Sequence, residues 1–210
     1  FFDDMLQLDT FDTVSKDSLL YPKWGSAMAT SAREETLRTV IGLTLHDNGD
    51  IRDLMTTRQT WIDRRLAMLY GVPFPFTGDW VRHEFPAESG RSGILTQISM
   101  LSVFSHPGRS SPTKRGVALR EIFLCLATPT PPNDVDFSAV NNPNSPIKTL
   151  RERLMAHSTN KTCAACHQMT DPIGLSLEAF DTIGGYRTTE NGEPIDVSAN
   201  IQGKTFSGAQ

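Results

Sequence analysis

Apolar residues recur at helical spacing along much of the chain, and this pattern predicts a mainly α-helical fold. Residues 31–34 have the Ser-x-x-Glu pattern of a capping box, which predicts the start of a helix. The polar turn at 47–50 then ends it. The apolar positions of this first predicted helix are Leu37, Val40, Ile41 and Leu45.

Further elements are predicted between residues 58 and 127. A second helix is expected over 58–70, with Gly71 ending it, followed by a short strand at 80–85 and a third helix over 94–103. Ser111 and Pro112 suit the cap and first position of a fourth helix. The residues expected inside the second and fourth helices are Trp61, Ile62, Leu66, Leu69, Val117, Leu119, Ile122, Phe123 and Leu126.

Prolines cluster among asparagines and serines between residues 128 and 147, a composition typical of a linker or an extended surface segment. We therefore predict a helical scaffold or docking region over 1–127 and a Pro-rich linker over 128–147. A small helical module, incomplete at its C-terminus, follows over 148–210. The first helix of that module is expected from about Thr149.

Composition and charge limit the classes of function. With 210 residues, 38% of them hydrophobic, the chain can bury one sizeable core or two small ones. A net charge of −4 with mixed signs gives no reason to expect a nucleic-acid partner. No stretch approaches the roughly 20 apolar residues that cross a bilayer, so no membrane span is expected. The first residue is not methionine, and we expect the chain to be a piece of a longer polypeptide.

The segment Cys163-Ala-Ala-Cys166-His167 has the spacing that covalent attachment of a c-type haem requires. Two such thiols can add to the two vinyl groups of one porphyrin, and the following histidine can ligate the iron. A zinc site would need further soft ligands, and the only other cysteine is Cys125. A thioredoxin-like pair would need a βαβ context and has no use for the histidine. One covalent haem c is the prediction; zinc and coincidence are the alternatives.

The residues after the motif suggest how the proximal histidine is held. Asp171-Pro172-Ile173-Gly174 predicts a tight turn just past the haem-binding helix. The carbonyl of Pro172 is the candidate partner for the outer nitrogen of His167. Met169 is too close to His167 in the chain to reach the opposite face of the ring, so we expect it to pack.

Candidates for the sixth iron ligand and for the haem propionates come from elsewhere in the chain. His157 is separated from Cys163 by a short polar loop and could reach around the haem edge; its alternative role is that of a histidine at a helix C-terminus. His106 is the second candidate, although it could be an ordinary loop histidine. Arg109 and Arg187 could each hold a propionate. Lys114 and Arg115 form a basic cluster with Arg109 in the sequence. The alternative is that these residues are only the solvated start of a helix.

The stretch 150–196, with the Cys-x-x-Cys-His motif, Asp171-Pro172-Ile173-Gly174 and residues 177–187 (Leu-Glu-Ala-Phe-Asp-Thr-Ile-Gly-Gly-Tyr-Arg), resembles the C-terminal module of bacterial multidomain c-type cytochromes of the planctomycete and myxobacterial type. Residues 91–97 and 111–116 are similar to the preceding module of those proteins, and 61–73 to the end of the module before that. The modules are domains of unknown function, so the resemblance implies a cofactor and an architecture more readily than a substrate.

The resemblance implies His157 as distal ligand and a periplasmic or extracellular location, with an export signal upstream. Two hypotheses of function follow. In the first, two protein ligands close the iron and the module carries electrons to a redox partner protein or an attached catalytic domain. In the second, the sixth position is open or displaceable, and the protein is a peroxidase-like or oxygenase enzyme that uses His106 and Arg109. We expect the first.

Overall fold

The computed structural model describes residues 1–75, 77–130, 140, 146–159 and 161–209. The fold is mainly α, as predicted. The chain divides into two compact units. Unit 1 consists of Phe1–Ser110, Phe180–Tyr186 and Ala209–Gln210, and unit 2 consists of Ser111–Ala179 and Arg187–Gly208. Most of the predicted Pro-rich linker lies outside the described residues, and the predicted domain boundaries stay predictions.

Within its described residues, unit 1 is built on four α-helices and one antiparallel two-stranded sheet. The helices are α1 (Phe2–Met5), α2 (Ser26–Ile41), α3 (Arg64–Tyr70) and α4 (Ile98–Val103), and the strands are β1 (Gln59–Ile62) and β2 (Val81–Glu84). Short 3-10 turns lie at Leu8–Asp12, Ile51–Met55, Ala87–Ser89 and Ile94–Thr96, and a π-helical turn at Gly42–His46.

The first predicted helix exists, but its predicted start is wrong. Helix α2 begins at Ser26, so Ser31 lies in its interior and is buried. The Ser31 hydroxyl bonds to the carboxylate of Asp63 at 2.6 Å instead of capping the helix. Leu45, expected on the apolar side, is exposed in the π-helical turn. A tertiary hydrogen-bond partner therefore explains why the capping pattern was misleading.

The predicted helix over 58–70 is wrong in its first half. Residues Gln59–Ile62 form strand β1, which pairs with β2 and confirms the strand predicted at 80–85. Helix α3 starts only after Asp63, whose side chain accepts a hydrogen bond from the Leu66 amide at 2.9 Å. Gly71 ends α3 in the left-handed conformation, as expected. Trp61 is half-buried instead of buried.

The predicted helix over 94–103 is broken at Gln97 into a 3-10 turn and α4. The side chain of Gln97 is buried and donates hydrogen bonds to Thr39 and Thr60, at 3.1 and 3.0 Å. A buried polar network thus interrupts the helix. The core around it includes the fully buried side chains of Leu6, Leu8, Val40, Ile62, Leu66, Ile94, Ile98 and Leu101.

The described residues of unit 2 form three α-helices and two short hairpins. The helices are α5 (Pro112–Ala118, continued by a π-helical turn Leu119–Phe123), α6 (Leu150–His157) and α7 (Lys161–Leu175). The hairpins pair β3 (Thr189–Glu190) with β4 (Glu193–Pro194), and β5 (Ser198–Ile201) with β6 (Lys204–Ser207). The buried apolar cluster of this unit contains Val140, Leu150, Leu154 and Leu175.

Local signals place two of these helices as predicted. The Ser111 side chain accepts a hydrogen bond from the Lys114 amide at 3.3 Å, with Pro112 at the first position of α5. Thr149 and Glu152 form a capping box at the start of α6. Beyond α5, however, Leu126 is exposed, contrary to the prediction.

Two glycines bring the backbones of α5 and α7 into close contact. A Cβ atom on Gly116 would overlap the carbonyl oxygen of Thr170, and one on Gly174 would overlap that of Pro112. Only glycine leaves room for this approach. The register of α5 on α7 is therefore determined by the backbone. No helix among the described residues is long and apolar enough to cross a membrane.

Candidate functional site

The first half of helix α7 carries Cys163, Cys166 and His167 on one face. At about 100° of rotation per residue, the three side chains fall within an arc of about 100°. Both cysteines are free and partly exposed. A helical Cys-x-x-Cys-His segment thus presents two thiols and one imidazole side by side, which is the donor set expected from the sequence.

The turn predicted at residues 171–174 is wrong, because α7 continues through it to Leu175 with Pro172 inside the helix. A proline there removes one helical hydrogen bond, to the carbonyl four residues earlier. Contacts with α5 hold this last turn, since Gly174 packs on Pro112 and Asp171 accepts a hydrogen bond from Thr113. Tertiary packing therefore overrides the local turn signal.

Because the helix continues, His167 has a different partner from the one predicted. Nδ1 of His167 lies 2.7 Å from Oδ2 of Asp171, one turn later on the same helix, and both side chains are largely buried. The prediction had named the carbonyl of Pro172 for this role. The His-x-x-x-Asp spacing, which makes residues neighbours on a helix, was the missed signal.

The carboxylate of Asp171 is held at its other oxygen as well. The Thr113 hydroxyl of α5 donates to Oδ1 at 2.8 Å. The hydroxyl of Thr170 lies farther from the same oxygen, at 3.4 Å, and donates at 3.1 Å to the carbonyl of Cys166. Asp171 therefore connects helix α5 to the imidazole of His167.

The structure brings His157 next to His167. The two ring centroids lie 5.2 Å apart and the rings meet edge to face at 80°. His157 is the last residue of α6, and α7 begins at Lys161. The sequence predicted His157 either at a helix C-terminus or as an iron ligand. The structure shows it at the end of α6, and its role as a ligand stays a prediction.

A cavity of about 380 Å³ lies between α6, α7 and the β5–β6 hairpin, within the size range of small-molecule and cofactor sites. Of the Cys-x-x-Cys-His motif, only His167 lines the cavity. Pro172, farther along α7, lines it as well. Its remaining lining residues are Arg151, Leu154, Met155, Ser158, Gln168, Asp171, Leu175, Ser198, Ala199, Asn200 and Thr205. The cavity thus borders both His167 and Asp171.

Of the other predicted site residues, His106 and Arg109 belong to unit 1. Their backbones are joined by a hydrogen bond from the amide of His106 to the carbonyl of Arg109, at 2.9 Å. In unit 2, the guanidinium of Arg187 pairs with the buried carboxylate of Glu178. The proposed roles of these residues toward a haem stay predictions.

The basic residues at the start of α5 have different environments. Lys114 is exposed, whereas Arg115 is buried and donates to the carbonyl of Leu177 at 3.0 Å. Among the described residues, no group of three or more His, Cys, Asp or Glu side chains is arranged to hold a metal ion by itself.

Two segments of the chain match models of known protein families. Residues 91–190 match PSCyt3, a protein of unknown function (DUF1588), and residues 1–72 match PSD4, a protein of unknown function (DUF1592). No curated protein and no solved structure matches the chain. One match covers both 91–116 and the Cys-x-x-Cys-His motif, which the sequence analysis had assigned to successive modules. The two segments are therefore similar to two families of unknown function, and neither match extends over half of the chain.

Proposed function

We propose that unit 2 binds one haem covalently through Cys163 and Cys166, with His167 as an iron ligand, and that the chain carries electrons as part of a larger multidomain redox protein. The observation that supports this most is the donor set on α7: two free thiols and one imidazole share a helix face. The imidazole is also oriented, by the 2.7 Å contact with Asp171.

The residues present fit such a group. Two thiols match the two vinyl groups of a porphyrin, and a carboxylate at Nδ1 of His167 leaves Nε2 as the nitrogen for a metal. When bound, haem supplies a one-electron centre whose potential depends on its axial ligands, nearby hydrogen bonds and burial. The chain's own contribution is to hold the thiols and the imidazole on one rigid helix.

His157 is our candidate for the sixth ligand. Its ring lies near the ring of His167, with 5.2 Å between centroids, and it ends the helix that precedes α7. Binding of a haem between them would require the two rings to separate. A second protein ligand would close the iron to small molecules, which suits electron transfer better than oxygen or peroxide chemistry. This ligand assignment is what favours the carrier over the enzyme.

Covalent attachment can be tested by intact-mass measurement after production in a bacterial host with a c-type haem maturation system. We expect the wild-type mass to rise by one haem, and the pyridine haemochrome spectrum to show two saturated vinyl groups. Cys163→Ala with Cys166→Ala should abolish attachment. Cys125→Ala, which removes the exposed third thiol, is the matched control and should leave attachment intact. An unmodified wild-type mass would refute the proposal.

The sixth ligand is tested separately by His157→Ala in the haem-loaded protein. We expect a change from a low-spin to a high-spin absorption spectrum, with restoration when imidazole is added. His106→Ala, a histidine of unit 1, is the control and should keep the low-spin spectrum. A low-spin spectrum in His157→Ala without imidazole would exclude His157 as ligand.

We also propose that the protein works outside the cytoplasm, in the periplasm or beyond the cell, because covalent haem attachment in bacteria is completed there. Fractionation of cells that make the full natural polypeptide should place the haem-loaded protein in the periplasmic or extracellular fraction. Recovery of haem-loaded protein from the cytoplasm would contradict this location.

A further inference from the structure

A chain of polar contacts runs from helix α5 to the proximal histidine, and its first member is Thr113. We propose that Thr113 is a positioning residue: its hydroxyl fixes the carboxylate of Asp171 toward His167 and thereby lowers the reduction potential of the haem. This inference rests on the proposed function for its redox consequence. Its structural part, the orientation of His167, can be tested without haem.

The two oxygens of Asp171 have different partners. Oδ1 accepts from the Thr113 hydroxyl at 2.8 Å, and Oδ2 lies 2.7 Å from Nδ1 of His167. With both oxygens engaged, rotation of the carboxylate would break both contacts together. Thr170 is a poor substitute for Thr113, because its hydroxyl lies 3.4 Å from Oδ1 and is used by the Cys166 carbonyl. Thr113 is therefore the better-placed donor to Oδ1.

Backbone packing places Thr113 opposite Asp171. The Pro112 carbonyl lies against Gly174, and Gly116 lies against the Thr170 carbonyl, so close contacts flank Thr113 on both sides along α5. These contacts leave no space for a side chain, which prevents α5 from sliding along α7. The short hydroxyl of Thr113 thus reaches Asp171 from a rigid position.

The direction of the expected effect follows from charge. A carboxylate facing the Nδ1 proton makes an imidazole a more basic ligand, and a more basic ligand stabilises the oxidised iron. The potential is then lower than with a neutral partner. Without the Thr113 hydroxyl, the carboxylate is free to turn away from His167, and the potential should rise.

The test measures midpoint potentials of haem-loaded variants. Asp171→Asn removes the negative charge, and we expect the equilibrium constant for reduction to rise at least tenfold, which is about 59 mV for a one-electron couple. Thr113→Val should shift the potential in the same direction by a smaller amount. Thr113→Ser keeps the hydroxyl and should match the wild type. Thr113→Ala removes the hydroxyl without adding a methyl group in its place, and covers the case in which valine prevents folding.

A potential unchanged in Thr113→Val and Thr113→Ala, or lowered in them, would overturn the inference. A purely structural role would reduce the thermal stability of these variants and leave the potential where it was. Haem attachment to the wild type is established independently by its mass, so failure of this inference is distinguishable from failure of the proposed function.

The haem-free protein offers a second readout. In ¹⁵N-labelled protein, we expect His167 to be the Nδ1-protonated tautomer in the wild type and in Thr113→Ser. A mixture of tautomers is expected in Thr113→Val and Thr113→Ala. The same single tautomer in all four proteins would show that Thr113 does not orient the pair, and would overturn the positioning role even where haem is never attached.

Discussion

Replacement of Glu35 tests a buried carboxylate at the centre of unit 1. Glu35 lies in α2, is fully buried and accepts hydrogen bonds from Tyr70 and Thr60, each at 2.8 Å. Burial raises the pKa of Glu35 from an ordinary value of 4.5 to about 7. The two hydrogen bonds and the charge of Arg91 lower this pKa, and the charge of Asp63 raises it, but burial is the largest effect.

The raised pKa predicts how stability depends on pH. Because the folded state binds the proton of Glu35 more tightly than the unfolded state, its contribution is fully present below pH 4.5. The contribution falls as the pH rises and is lost as the pH passes about 7. The difference between the folded and unfolded pKa values corresponds to about 3 kcal/mol, since a change of one in pKa is about 1.36 kcal/mol.

Urea unfolding between pH 4.5 and 8, followed by tryptophan fluorescence, measures this effect. All three tryptophans, Trp24, Trp61 and Trp80, belong to unit 1, so the signal reports on that unit. Glu35→Gln should remove about 3 kcal/mol of pH dependence relative to the wild type. Glu34→Gln changes the same charge at a half-buried neighbour and is the control. The same pH dependence in Glu35→Gln and wild type would refute the reasoning.

Three further predictions concern unit 2. Gly116→Ala should destabilise it by about 3 kcal/mol or more in thermal unfolding followed by circular dichroism, because the new Cβ would overlap the Thr170 carbonyl; a neutral result would contradict the close helix contact. Glu190→Ala should lower the stability by about 3 kcal/mol in the same assay. The guanidinium of Arg153 is largely buried and lies 2.7 Å from the Glu190 carboxylate, so the substitution would leave it without its anion. Ser111→Ala should cost about 1 kcal/mol through loss of a helix cap, and an unchanged melting temperature would argue against that cap.

Features with a local cause were predictable from the sequence. The start of α5 depends on a serine cap followed by proline, and the end of α3 depends on Gly71 in a left-handed conformation. The Cys-x-x-Cys-His motif likewise places two thiols and one imidazole on one helix face within five residues. In each case neighbouring residues provide the physical cause, so no tertiary information was needed.

Features that depend on distant partners were not predictable in the same way. Strand β1 pairs with a segment about twenty residues later, and that pairing overrides an apolar spacing that also suits a helix. The last turn of α7 is held by α5, from more than fifty residues earlier, so Asp171 continues a helix instead of opening a turn. For this reason, His167 contacts the carboxylate of Asp171 instead of the predicted carbonyl of Pro172. Continuation of the helix places Asp171 one turn after His167 on the same helix face.

The central claim is that the chain carries a c-type haem whose iron is closed by two protein ligands. The visible spectrum of the reduced, haem-loaded protein, recorded with and without carbon monoxide, tests it most directly, because carbon monoxide binds ferrous haem only where the sixth position is open or its ligand yields. We predict a low-spin c-type spectrum that carbon monoxide does not change. A shifted Soret band would contradict the claim and would direct attention to oxygen or peroxide chemistry.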